Sequence, residues 1–131
     1  VLHLYGPVHI DTLPIKITIH RACKNAGKHT ASAGAGVFFG VNSPKNCSLR
    51  VWGTQSNARA DLIGLLRAIT SSPLRRTLEI STRSEYSIKS VVYYAAKNET
   101  CGWRCANGDI LKLIFQWINV RTAPIRFTHL K

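Results

Sequence analysis

The sequence predicts an α/β domain of the α+β kind, a five-stranded mixed sheet that opens with an antiparallel β1-β2-β3 meander and is flanked by helices. Three observations carry this. Apolar residues alternate with period two in the first part of the chain, stripes at helical spacing follow, and an isolated alternating segment sits between two of the helices. With 131 residues, 45% of them hydrophobic, the chain suffices for one core and leaves no room for a second.

Residues 1–14 contain Gly6, Pro7, Asp11 and Pro14 and are taken as an N-terminal extension, with the domain spanning residues 15–131. Ile15, Ile17 and Ile19 alternate with Lys16, Thr18 and His20, which predicts a first strand with one buried face. The Gly-rich stretch 31–36 runs into a second strand at Val37-Phe38-Phe39-Gly40. Asn42-Ser43-Pro44 then predicts a turn, and residues 47–52 a third strand. Leu62, Leu65, Leu66 and Ile69 form a helical stripe, with Ser56 or Asn57 as its N-cap and Pro73 beyond its end. Leu78, Ile80 and Thr82 predict a fourth strand. Ser84 caps a second helix with the stripe Ile88, Val91, Val92 and Ala95, and Asn107 caps a third with Leu111, Ile114, Phe115 and Ile118. Residues 125–130 predict the last strand.

Eighteen Lys and Arg against six Asp and Glu give a formal net charge of +12. Such an excess points to a polyanionic partner, nucleic acid or an acidic membrane surface, and makes clusters of carboxylates scarce. The apolar content argues against disorder, and no run is long enough to span a membrane. No signal peptide is visible, and a chain without Met reads as a processed product or an excised domain. Its compartment stays open, an intracellular one being favoured slightly over secretion after signal removal.

Element order and motifs together resemble ribonuclease H of type 1. Ile17-Thr18-Ile19-His20-Arg21-Ala22-Cys23 is similar to the family's first-strand YTDGAC, and Gln55-Ser56-Asn57-Ala58-Arg59-Ala60-Asp61-Leu62 to its QTNNRAEL. Leu78-Glu79-Ile80-Ser81-Thr82-Arg83-Ser84-Glu85-Tyr86 resembles LxIxTDSxY, Gly102-Trp103-Arg104 the GWK loop, and residues 125–129 the strand before a GH-containing loop. The resemblance implies that fold without its C-terminal helix, and an activity against the RNA of RNA:DNA hybrids.

Departures from the family pattern fall on its chemistry. Four carboxylates there hold two Mg²⁺ ions. The resemblance puts His20 at the first of these positions, Asp61 at the second and Arg83 at the third, and the sequence stops at Lys131 before the fourth. A guanidinium about 4 Å from Mg²⁺ repels it by roughly 8 kcal/mol at an effective dielectric of 20, and hard cations want several oxygen ligands. The expectation is a degenerate site without Mg²⁺ or another cofactor, with Arg83 paired directly to Asp61. Simple decay of His20 and Arg83, and Asp61 as a mere first-turn helix acid, are the alternatives.

Nucleic-acid contacts implied by the resemblance are Ser56, Asn57 and Tyr94, while Ala26 and Ala58 replace polar family residues. Lys89, Lys97 and Arg104 lie on what the family uses as a basic flank, suited to salt-dependent phosphate contacts. Trp52, Trp103 and Trp117 are expected in packing. His20, Cys23, Cys101 and Cys105 have spacings too loose for a zinc site. Disulfides Cys101 to Cys105 and Cys23 to Cys47 are the candidates in an oxidising setting.

The favoured function is binding of hybrid or duplex RNA without hydrolysis. A protein-protein interaction module, which a retroelement-derived pseudoenzyme could be, is the first alternative, and a metal-independent ribonuclease using His20 as general base is the second.

Overall fold

The computed structural model describes residues 13–93 and 95–131; most of the N-terminal extension and Tyr94 lie outside them. Among the described residues nine elements follow one another: β1 (Ile15–Lys24), β2 (Ser32–Phe38), β3 (Cys47–Arg50), α1 (Asn57–Thr70), β4 (Leu78–Thr82), α2 (Glu85–Val92), α3 (Ala95–Thr100), α4 (Gly108–Asn119) and β5 (Ile125–His129). The strands form one sheet in the order β3-β2-β1-β4-β5. β1, β2 and β3 pair antiparallel, whereas β4 runs parallel to both β1 and β5. A parallel pair needs a crossover, and α1 supplies it between β3 and β4.

Alternation in β1 sends Ile17 and Ile19 to the face that α1 covers, where Ala35 and Val37 of β2 and Ile80 of β4 join them. Leu62, Leu65 and Ile69 of α1 meet that face, and Ile110, Leu111 and Ile114 of α4 pack behind them into the same core. The helix lies close because position 64 is glycine: a Cβ there would stand 2.7 Å from Ile19 Cγ2 and 3.4 Å from Ala35 Cβ. That close approach sets the height of α1, and with it of Asp61, above the sheet.

β3 ends at Arg50 and β5 at His129, short of the expected residues 52 and 130, and two further boundaries differ for physical reasons. The Gly-rich stretch is itself the body of β2, since small residues let β3 come close; a Cβ on Gly34 would be 3.1 Å from the Leu49 carbonyl oxygen. The second predicted helix is divided, α2 ending at Val92 and α3 starting at Ala95. Of the predicted caps, Ser56 receives the Arg59 N–H at 3.1 Å and Ser84 the Ser87 N–H at 3.1 Å. Asn107 precedes α4 in the left-handed region (φ 59°) and makes no side-chain cap. Its amide donates instead to the Tyr86 hydroxyl at 3.2 Å.

Candidate functional site

Asp61 is the centre of the site. It projects from the second turn of α1 toward the sheet and is wholly buried. Its Oδ1 accepts a hydrogen bond from Thr82 Oγ1 at 2.5 Å, and that hydroxyl also accepts the Ser84 N–H at 3.1 Å, so one side chain ties α1, the end of β4 and the start of α2 together. Arg21 Nη1 stands 3.9 Å from the same carboxylate oxygen. Burial pushes the Asp61 carboxyl above its ordinary range, while the hydroxyls of Thr82 and Ser87 and the Arg21 guanidinium pull the other way. Oδ2 is buried and makes no hydrogen bond among the described residues.

The expected Asp61–Arg83 pair is not formed. β4 alternates Leu78, Ile80 and Thr82 into the core, so Thr82 meets Asp61 and the next residue, Arg83, is exposed. The Arg83 carbonyl oxygen instead lies 3.2 Å from His129 Nε2. His20 likewise belongs to the opposite face from α1: it pairs with Gly36, where an added Cβ would sit 3.9 Å from its own Cβ. Arg21 takes the place beside the carboxylate. Sequence reasoning missed it, although the alternation Ile17, Ile19, Arg21 already put this Arg on the face of the core isoleucines.

Where β1, β4 and the start of α1 meet, Ile19, His20, Arg21, Asn57 and Arg83 line a cleft of about 220 Å³. The structure therefore gathers His20, Asn57 and Arg83 of the predicted set and adds Arg21. Ser56 adjoins as the cap of α1. Lys89 is ion-paired with Glu85 at 2.8 Å, and Lys97 on α3 and Arg104 in the following loop are exposed; none of these three lines the cleft. Tyr94 lies outside the described residues. No group of three or more His, Cys, Asp and Glu side chains gathers among the described residues.

The candidate disulfides are absent, with all four cysteines unbonded. For Cys23 and Cys47 the register explains it. Cys47 pairs with Val37, which pairs with Ile19, four residues from Cys23 along β1. Two strand spacings and four residue rises separate them by roughly 16 Å, beyond the reach of a bridge. Cys101 and Cys105 are exposed at the end of α3 and in the loop after it.

A second polar cluster went unpredicted. Arg59, almost fully buried, donates through both guanidinium nitrogens to Asp109 at 3.0 and 2.8 Å and through Nε to the Trp52 carbonyl at 2.5 Å, and it lies 4.6 Å from the Trp52 ring centroid. Asp109 is held below the usual carboxylate range chiefly by the Arg59 hydrogen bonds. This fork fixes the first turn of α1, which carries Asn57 and is capped by Ser56, to the start of α4. Trp103 packs on Phe115 at 5.4 Å, whereas Trp52 and Trp117 stay partly exposed.

A central β1 flanked by antiparallel β2 and parallel β4, with a helix-borne acid over their meeting point, defines an α+β domain built on one mixed sheet. The RNase H family model matches residues 21–131. Ribonuclease H1 of Rattus norvegicus is 31% identical over 88 residues, covering 66% of this chain and 31% of the rat protein. Ribonuclease H of Schizosaccharomyces pombe is 36% identical over 87 residues, covering 66% and 32%. The chain belongs to the RNase H family, and it spans about a third of the length of these curated relatives. Foamy viral protease-reverse transcriptase shares the fold: its complex with dsDNA superposes with a TM-score of 0.68 at 16% identity over 92% of this chain and 86% of that one. Its complex with RNA/DNA hybrid gives 0.68 at 13% identity, covering 92% and 18%.

Proposed function

We propose that this RNase H-family domain binds nucleic acid, as RNA:DNA hybrid or duplex RNA, on its positive face without cutting it by the two-metal route. The observation that carries the reading is the state of Asp61. The carboxylate is wholly buried, one oxygen is taken by Thr82, and Arg21 stands beside it with Arg83 at the rim of the cleft. A pair of Mg²⁺ ions needs several open oxygen ligands, and these residues offer one enclosed acid flanked by cations. They do not fit the metal. The net charge of +12 and the exposed Lys97 and Arg104 support phosphate contacts that read no sequence. Solved relatives of the fold bound to dsDNA and to RNA/DNA hybrid agree with a nucleic-acid partner.

A binding and cleavage panel tests this: labelled hybrid, duplex RNA and duplex DNA across a salt series, with Mg²⁺, with Mn²⁺ and in EDTA. The expected result is binding that weakens steeply with salt and no metal-dependent product. Metal-dependent cleavage of hybrid overturns the reading. Cleavage in EDTA that His20→Ala abolishes would favour a metal-free ribonuclease, although the cleft gives His20 only Arg21, Asn57 and Arg83 as polar neighbours, none a general acid.

A second reading, a protein-interaction module, has its own observation. Leu49, Trp52, Ile63, Leu66, Leu113 and Trp117 line a groove of about 290 Å³ between β3, α1 and α4, with Trp52 48% exposed. Absence of nucleic-acid binding even at low salt would move the function to that surface.

A further inference from the structure

We infer that the cleft between β1, β4 and the start of α1 is itself a phosphate site, in which Arg21 and Arg83 hold one phosphate group directly. This rests on the nucleic-acid reading for its source, a backbone phosphodiester, but the chemistry stands on the cleft.

Of the side chains that line it, two are guanidiniums, one is an imidazole and one is an amide; none is an acid. A guanidinium offers a planar fork of N–H donors that matches two phosphate oxygens, and the cleft brings together two of them, Arg21 from β1 and Arg83 just past the end of β4. Asn57 adds an amide donor and is the first residue of a 14-residue helix, whose N-terminal end favours negative charge. The carboxylate that approaches Arg21 is that of Asp61. It is enclosed beneath the cleft rather than lining it, and its approach to Arg21 is 3.9 Å, longer than a hydrogen bond. Its contact therefore leaves Arg21 with hydrogen-bonding capacity for another acceptor, and Arg21 keeps part of its side chain exposed.

Position matters as much as charge. The same cleft spans β1, α1 and the end of β4, where the family resemblance sets carboxylates for cations. Here the sign is reversed. A phosphate that elsewhere is reached through metal ions would be met by the side chains themselves, which positions a strand on the protein without polarising the ester for attack.

The test uses the chain with two probes, inorganic phosphate and a fluorescein-labelled RNA:DNA hybrid, on wild type, Arg83→Ala, Arg21→Lys and the control Lys112→Ala at an exposed position of α4. Arg83 is exposed, so Arg83→Ala is expected to keep the fold, which its circular dichroism checks. In wild type, inorganic phosphate should shift the amide NMR signals of Arg21, Asn57 and Arg83, and Arg83→Ala should remove those shifts. Hybrid affinity should fall about tenfold or more in Arg83→Ala, with the slope of log affinity against log salt reduced by about one. Arg21→Lys, which keeps charge but loses the fork, should also weaken both probes. If hybrid binds Arg83→Ala and Arg21→Lys as tightly as wild type with an unchanged slope, the site is overturned while the nucleic-acid reading stands. If wild type binds no hybrid but phosphate still shifts the cleft signals, the phosphate site holds and the nucleic-acid reading falls. Absence of any phosphate shift, together with hybrid binding insensitive to Arg83, refutes the proposal outright.

Discussion

Thr82 donates its hydroxyl proton to Asp61 Oδ1 across 2.5 Å, in a pocket from which both side chains are sealed off from solvent. Satisfying one oxygen leaves the other, Oδ2, without a partner among the described residues, and an unpartnered buried polar atom costs about 1–3 kcal/mol. Asp61 is thus a charge the fold tolerates more than uses. Asp61→Asn keeps an acceptor for Thr82 and removes the charge, and it should stabilise the domain by about 1 kcal/mol at neutral pH, a few degrees in Tm. The sign with pH follows from linkage. A carboxyl whose folded pKa lies above its ordinary value of 3.8 stabilises the fold at low pH and loses that contribution as pH rises through the raised value. Wild type and variant should therefore converge in thermal melts near pH 3.5 and separate toward pH 7. A variant less stable than wild type at pH 7 would contradict this.

The Arg59–Asp109 fork predicts the opposite pH behaviour. Arg59→Ala removes two charge-assisted bonds, the bond to the Trp52 carbonyl and the guanidinium stacked on the Trp52 ring, and should cost about 2–3 kcal/mol in urea denaturation. Arg59→Lys should recover less than half, because an ammonium cannot reproduce the fork. Asp109 has its pKa lowered, so its contribution is present above the ordinary 3.8 and is lost as pH falls through the lower folded value. The destabilisation by Asp109→Asn should accordingly shrink below pH 3.5, and an effect independent of pH would rule out the ion pair as its source.

Much of this fold was legible because each strand and helix carried its own period. Leu78, Ile80 and Thr82 alternate as strongly in the sequence as in the sheet, and Ser56 and Ser84 cap the helices they precede. The site was legible only as far as its residues were. Matching motif positions brought Asp61, Arg83, His20 and Asn57 into one region, but which face each side chain takes depends on strand parity. One residue of parity separates Thr82 from Arg83 and Arg21 from His20. The Arg59–Asp109 pair was invisible for another reason: its partners come from different helices, and nothing local marks Arg59 as buried.

Thiol chemistry gives a direct check on the unbonded cysteines. Maleimide should label all four after denaturation without reductant. Under native conditions Cys101 and Cys105, exposed, should react first, with the half-buried Cys23 and Cys47 slower. Mass spectrometry counts the adducts, and a native plateau of zero at Cys101 and Cys105 with two fewer adducts after denaturation would mean that they are bridged.

Gly64 offers a test that couples packing to the site. Alanine at a helix interior is worth roughly 0.5–1 kcal/mol over glycine, so on propensity alone Gly64→Ala should stabilise α1. Its Cβ would instead arrive 2.7 Å from Ile19 Cγ2. Ile19 is 2% exposed and β-branched, so that methyl cannot swing aside. Overpacking of this kind costs about 1–3 kcal/mol, and the net effect should be a loss of about 1 kcal/mol. Because the strain is relieved by lifting α1 from β1, the Asp61 to Thr82 bond and the cleft at Asn57 should loosen together. Amide exchange at Thr82 and Ser84 should speed up in the variant, while the distant β2–β3 turn is unchanged. A more stable variant with unaltered exchange would show that α1 has room above the sheet.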